Sequence, residues 1–202
     1  MAALAASSPV CAQTNADDVA QLKQRVAQLE KQVQEMAQLL EPLKAQQAME
    51  LRRNALHQKF EQKAARDREK YTAEQLGEAE GLYQVANQKW GSPEAAKSLQ
   101  TMIEKFPDVN RTGCAVLYLA QNSQGDERAR RLQDCMEKYS DCFYGDGVQV
   151  GAYARFLLAQ DFRSKLELKK ADALDEEVKA KFPDAVDHSG HLLVDSLKAE
   201  MQ

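Results

Sequence analysis

"AAKSLQTMIEKFPD" runs from Ala95 to Asp108, and "RARRLQDCMEKYSD" runs from Arg128 to Asp141. Laid over one another, Leu99 meets Leu132, Met102 meets Cys135, Ile103 meets Met136 and Phe106 meets Tyr139, all at an offset of 33 residues. A third stretch, "KADALDEEVKAKFPD" from Lys170 to Asp184, places Phe182 43 residues after Tyr139. In each stretch the apolar residues recur every three or four positions, the spacing of one helix face. Each ends on an aromatic residue, then Pro or Ser, then Asp. Proline has no N–H to donate and cannot continue a helix, and Asp favours a turn. Before each such helix lies another, closed by a turn: "QKWGSPE", "QNSQGDE" and "QDFRSK". The unit is therefore helix, turn, helix, stop. A period near 34 built of helix pairs predicts a helical repeat array.

The wider composition agrees. The chain has 202 residues, 29% charged and only 6% aromatic. That balance suits long solvated helices better than a thick globular core. β-branched residues are sparse and no long alternating pattern marks a strand. The predicted class is all-α. A formal net charge of −4 gives no basic field for phosphates, so nucleic acid is not an expected partner. No run approaches the ~18 apolar residues of a membrane span.

Residues 72–202 resemble the tetratricopeptide repeat (TPR) family. Ala79, Leu82, Tyr83 and Ala86 fall where that family's first helix packs, and Ala95, Leu99, Met102 and Pro107 fall at its second-helix and terminal positions. Ser92–Pro93 is a strong helix start, with Ser as N-cap and Pro at the first helical position. The later units depart from the pattern. Ser140 replaces the stop proline, and "CFYGDGVQVG" adds about ten residues before the third unit. "HSGHLLVDSLKAEMQ" is read as a final capping helix. The resemblance implies an α-solenoid of about three helix pairs with a concave surface that binds peptides or protein segments.

Upstream lies a different pattern. Val19, Leu22, Val26, Leu29, Val33, Met36, Leu40 and Leu43 alternate in steps of three and four, a heptad seam. Such a narrow apolar stripe predicts a coiled coil over 17–43 that joins two or three copies. Val at a with Leu at d leans towards a parallel dimer. Pro42 is expected to end or kink this helix. Residues 44–71 read as a charged helical linker. Met49, Leu56 and Phe60 could continue the seam, but Arg52, Arg53, Lys63 and Asp67 stand where it wants apolar side chains. Residues 1–12 read as a signal-peptide remnant or a disordered tail. Val10-Cys11-Ala12 has the small-residue pattern of a cleavage site, but no basic segment precedes it. A lipid-modified Cys11 is a weaker alternative, because "SPVC" lacks the residues such a site prefers. The order of signal, coiled coil, linker and TPR-like domain resembles the family of periplasmic proteins associated with the Tol–Pal system. That layout implies an extracytoplasmic role in cell-envelope organisation or division; without export, the location would be cytoplasmic.

Chemistry-bearing groups are few. In a hairpin turning near Gln124, Cys114 and Cys135 lie at the same height and Cys142 begins the next unit at that end. A Cys114–Cys135 disulfide is the leading expectation, with Cys142 as rival partner and buried free thiols as the alternative. There is no CxxC. His188 and His191 lack the further ligands a metal needs. "YGDGVQVG" at 144–151 has no Lys-Ser/Thr and follows no strand, so it is a turn and not a phosphate cradle. No cofactor and no enzymatic activity are implied. Tyr83, Asn87, Tyr118, Asn122 and Arg155, on the first helices of the units, are the candidate groove residues. The expected function is a non-enzymatic adaptor; a structural spacer and a cysteine-based redox protein are the alternatives.

Overall fold

A computed structural model describes residues 10–199, with side chains described over 18–197. Among these there are eight helices and no strand: α1 (Val10–Lys70), α2 (Ala73–Gln88), α3 (Pro93–Lys105), α4 (Asn110–Gln121), α5 (Gly125–Glu137), α6 (Val150–Ser164), α7 (Leu168–Lys181) and α8 (Leu193–Ala199). The chain divides after Ala48 into two compact units. Most of the expected leader, residues 1–9, lies outside the described residues.

The first unit is helical, and every side chain from Asp18 to Ala48 is exposed. The seam's side chains stand open among the described residues: Leu22 is 63% exposed and Val33 60%. Pro42 lies inside α1 and does not end it. The missing N–H and the ring clash cost about 3 kcal/mol. No glycine interrupts α1, and Ala, Gln, Leu, Glu and Lys flank the proline; such residues hold the helix on both sides.

In the second unit, α2 to α8 pack in tandem, each mainly on its sequence neighbours. Local sequence explains the boundaries. Thr72 and Gln75 form a reciprocal capping box at the start of α2. The Ser92 Oγ accepts from the Ala95 N–H at 3.1 Å, with Pro93 at the first helical position of α3. Phe106 closes α3, donating its N–H to the Met102 carbonyl at 2.9 Å, and its ring is buried. α4 is the central element. Its residues Thr112 to Ala120 are all buried, among Ala79, Tyr83, Leu99, Met102, Leu132 and Leu158 from its neighbours. Burying large side chains such as Leu99, Met102, Leu117 and Leu132 stabilises by about 1.5–3 kcal/mol each.

The two later joints are copies of one device. Residues 142–150 and 185–193 each form a small hairpin, with bridges Phe143–Gln149 and Val186–Leu192 at an offset of 43. The hydrogen bonds repeat as well: Tyr144 N–H to Val148 O matches Asp187 N–H to His191 O, and Val150 N–H to Cys142 O matches Leu193 N–H to Ala185 O. Gly147 and Gly190 occupy the same place in each turn, with φ of 94° and 87°. Only glycine enters that region without strain.

Residues 49–70 do not behave as a solvated linker. Met49, Arg53, Leu56, Phe60, Lys63, Asp67 and Lys70 continue steps of four and three, and this stripe lies along the joints. Lys70 pairs with Asp108 at 3.7 Å, and the Asp67 carboxylate accepts the Asn110 N–H at 2.9 Å. Lys63 pairs with Asp141. Leu56, 2% exposed, packs with Phe143 and Val186 beside Phe60 and Leu192. Arg53 and Met49 approach Gly190. The stripe is of mixed polarity because the joints it meets are.

Candidate functional site

A cleft of about 470 Å³ opens on the face formed by α2, α4 and the two hairpins. α2 supplies Tyr83 and Asn87, and the α2–α3 turn supplies Trp90. α4 supplies Arg111 and Gln121. The hairpins supply Tyr144, Asp146 and His188.

Its floor is aromatic and rigid. Tyr83 is 4% exposed, and the Arg111 guanidinium sits 4.6 Å from its ring centroid. Arg111 is held there by Glu80, whose carboxylate takes both its Nε (2.9 Å) and Nη2 (3.2 Å). A paired, stacked guanidinium of this kind is hard to displace. Tyr118 lies below, 2% exposed. Its hydroxyl donates to the Ala86 carbonyl at 3.1 Å and accepts the Gly91 N–H at 2.9 Å. Trp90 meets the Tyr118 ring edge-on at 4.0 Å yet stays 60% exposed. A large indole fixed at one edge and open at the other is the cleft's most available contact surface.

The far wall is polar. Asp146 and His188 join the two hairpins at 2.7 Å. The rings of Tyr144 and Tyr153 stand edge-on to His188, at 4.9 and 5.4 Å. Burial works against the Asp146 carboxylate. The bonds from His188 and the Val148 N–H outweigh it and hold the group below its ordinary value. The Tyr144 hydroxyl donates to the Cys114 carbonyl at 3.1 Å, and burial pushes its acidity far down.

The groove residues expected from sequence separate into three places. Tyr83 and Asn87 line the cleft. Tyr118 and Asn122 support it from beneath; the Asn122 side chain donates to the Tyr118 carbonyl at 3.0 Å. Arg155 is elsewhere. It is 9% exposed, bonded to Glu177 at 2.9 Å and to the Gly151 carbonyl at 2.9 Å, and stacked over Phe182. Trp90, Arg111, Asp146 and His188 were not singled out as groove residues. Trp90 carried a signal: it is the sole tryptophan, in a polar turn.

The expected disulfide is not formed: Cys114, Cys135 and Cys142 are buried free thiols. The Cys114 thiol is aimed at the Phe143 carbonyl, 3.5 Å away. Burial raises all three thiol pKa values, Cys142 to about 12. Thiols held protonated in this way are poor nucleophiles. The His188 and His191 rings lie beside different carboxylates, Asp146 at 2.7 Å and Asp187 at 3.6 Å. Among the described residues no group of three or more His, Cys, Asp or Glu is arranged to hold a metal. No helix among them is long and apolar enough to cross a membrane. Comparison with protein-family models, curated proteins and solved structures gives no match to this chain.

Proposed function

We propose that the protein is a non-enzymatic adaptor in which a coiled coil joins two or three copies of a TPR-like peptide-binding domain. The observation that carries this reading is the exposed seam: eight apolar residues at heptad spacing, from Val19 to Leu43, are each at least 49% exposed. Water-facing apolar stripes of this regularity are stable when a second helix covers them. The cleft supplies the other half of the reading. It offers an anchored indole, a walled aromatic floor and paired charges, which suit a peptide segment better than a reacting small molecule. Joining copies raises the effective concentration of the clefts, so weak contacts add. The layout supports placing this adaptor in the bacterial periplasm, in envelope organisation or division.

Sedimentation of the full chain tests the first half. Wild type should run as an oligomer and Leu29→Glu/Val33→Glu as a monomer with an unchanged helical spectrum. A monomeric wild type would remove the reading. A photoreactive side chain at Asn87 tests the second half in envelope extracts. Discrete adducts that disappear with Trp90→Ala support the adaptor. Adducts that are absent, or indifferent to Trp90, favour the structural spacer. The redox alternative is disfavoured by the three buried, protonated thiols; rapid labelling of Cys114, Cys135 or Cys142 in native protein, located by peptide mapping, would revive it.

A further inference from the structure

We propose that the occupant of the exposed seam is a second copy of this chain, aligned parallel and in register by four charges beside the seam. This rests on the proposed coiled coil and specifies its partner. With Val19, Val26 and Val33 at a and Leu22 and Leu29 at d, Asp18 and Arg25 fall at g positions, and Lys23 and Glu30 fall at e. In a parallel pair each g residue meets the e residue five positions on in the other helix. Asp18 then faces Lys23 of the second copy, and Arg25 faces its Glu30. Both contacts are attractive, and symmetry doubles them.

The reverse orientation gains neither. With Val19 level with Leu43, Glu30 faces a second Glu30, Lys23 faces Ala37 and Arg25 faces Leu39. A second observation points the same way. Asp18, Lys23, Arg25 and Glu30 form no ion pair among the described residues, whereas outward-facing Lys31 and Glu35 approach each other within the helix. The four are left for a partner. Val26, Leu29, Glu30 and Val33 also frame an apolar hollow. Those positions are two a residues, a d and an e, the four-residue hole that receives a d side chain of the facing helix. Its occupant is Leu29 of the second copy. Val at a with Leu at d favours two strands.

Two full-length variants test the alignment. Lys23→Glu/Glu30→Lys places like charges across both contacts, and so does Asp18→Lys/Arg25→Glu. Each alone should weaken self-association about a hundredfold. An equimolar mixture restores all four attractive contacts, so it should recover wild-type affinity in a species holding one chain of each kind. Sedimentation with native mass spectrometry reads both outcomes. Variants that pair as tightly as wild type, or a mixture that does not recover, overturn the parallel register while leaving the oligomer itself standing. A wild type that stays monomeric overturns both.

Discussion

Residues 18–43 and 49–70 lie in one helix, are built from similar helix formers and share the three-four spacing of their stripes, yet they meet opposite fates. The first stripe is uniformly apolar and wholly exposed. The second alternates Leu56 and Phe60 with Arg53, Lys63 and Asp67, and it is covered by its own chain. The difference lies in what each stripe matches. Each joint presents polar groups beside an apolar patch: Asp108 and the Asn110 N–H at the first, Asp141 with Phe143 at the second. Only a stripe of mixed polarity satisfies both. An apolar seam would strand the buried Asn110 N–H, at a cost of about 1–3 kcal/mol, and would leave Asp108 and Asp141 without their lysine partners. The apolar seam instead requires an equally apolar partner.

The comparison can be broken most sharply by one substitution made twice. Leu56→Ala should lower the stability of the repeat unit by about 2–5 kcal/mol, read by urea unfolding, with the oligomeric state unchanged. Leu29→Ala should do the reverse. It leaves unfolding of the repeat unit within about 0.5 kcal/mol of wild type and weakens self-association. Equal effects at both sites would erase the distinction between the two halves.

Smaller effects sharpen it at the hairpins. Gly147→Ala and Gly190→Ala each force a Cβ into the left-handed region, at about 1–2 kcal/mol. Gly147 should be the costlier of the two. A Cβ there would stand 2.8 Å from that of Leu56, whereas at Gly190 the nearest atoms, on Arg53 and Met49, are 3.7 Å away. Thermal unfolding of the two variants checks the order, and equal losses would mean that docking on residues 49–60 is not felt at the turns.

The smallest expected effect concerns Asp67. Burial raises its pKa above 3.8, although the Asn110 N–H, Lys63 and Lys70 pull the other way. The folded state therefore favours the protonated acid. That contribution is fully present below the ordinary value and is lost as pH rises through the raised one, so the charge is a net cost at neutral pH. Asp67→Asn keeps an oxygen for the Asn110 N–H. It should match or exceed wild-type stability at pH 7, by up to about 1 kcal/mol, with its relative advantage shrinking as the solution is acidified. A variant clearly less stable than wild type at pH 7 would show that the Lys63 and Lys70 charges outweigh burial.

Much of the fold was legible because it is written in local chemistry. The offset of 33 places α3 and α5, Ser92–Pro93 starts α3, and Phe106-Pro107 stops it. The second hairpin was hidden. Tyr144 is replaced by Asp187 and Val148 by His191, since the device needs only a glycine at positive φ and a set of backbone bonds. The docking of residues 49–70 was hidden for a related reason. A charge in a stripe reads as solvated until its partner is known, and Asp108, Asn110 and Asp141 are far away in sequence. The site was read in part. Tyr83 and Asn87 do line the cleft, whose role the sequence does not state. Polarity alone could not tell that Tyr118 spends its hydroxyl on Ala86 and Gly91, or that Arg155 is occupied by Glu177.

The lengthwise docking of α1 also makes the helix a ruler. Residues 67–70 serve the first joint, 56–63 the second and 49–53 the third, so each joint takes up about seven residues, or roughly 10 Å of helix. That rise is close to the spacing of packed helices, about 8–10 Å. Repeat number and docked length are thus coupled. A fourth helix pair would need about seven more residues of α1 with mixed polarity, and the next in line, 42–48, include Leu43 of the seam. The array could grow only by shortening the seam, which sets the count of repeats against the strength of self-association.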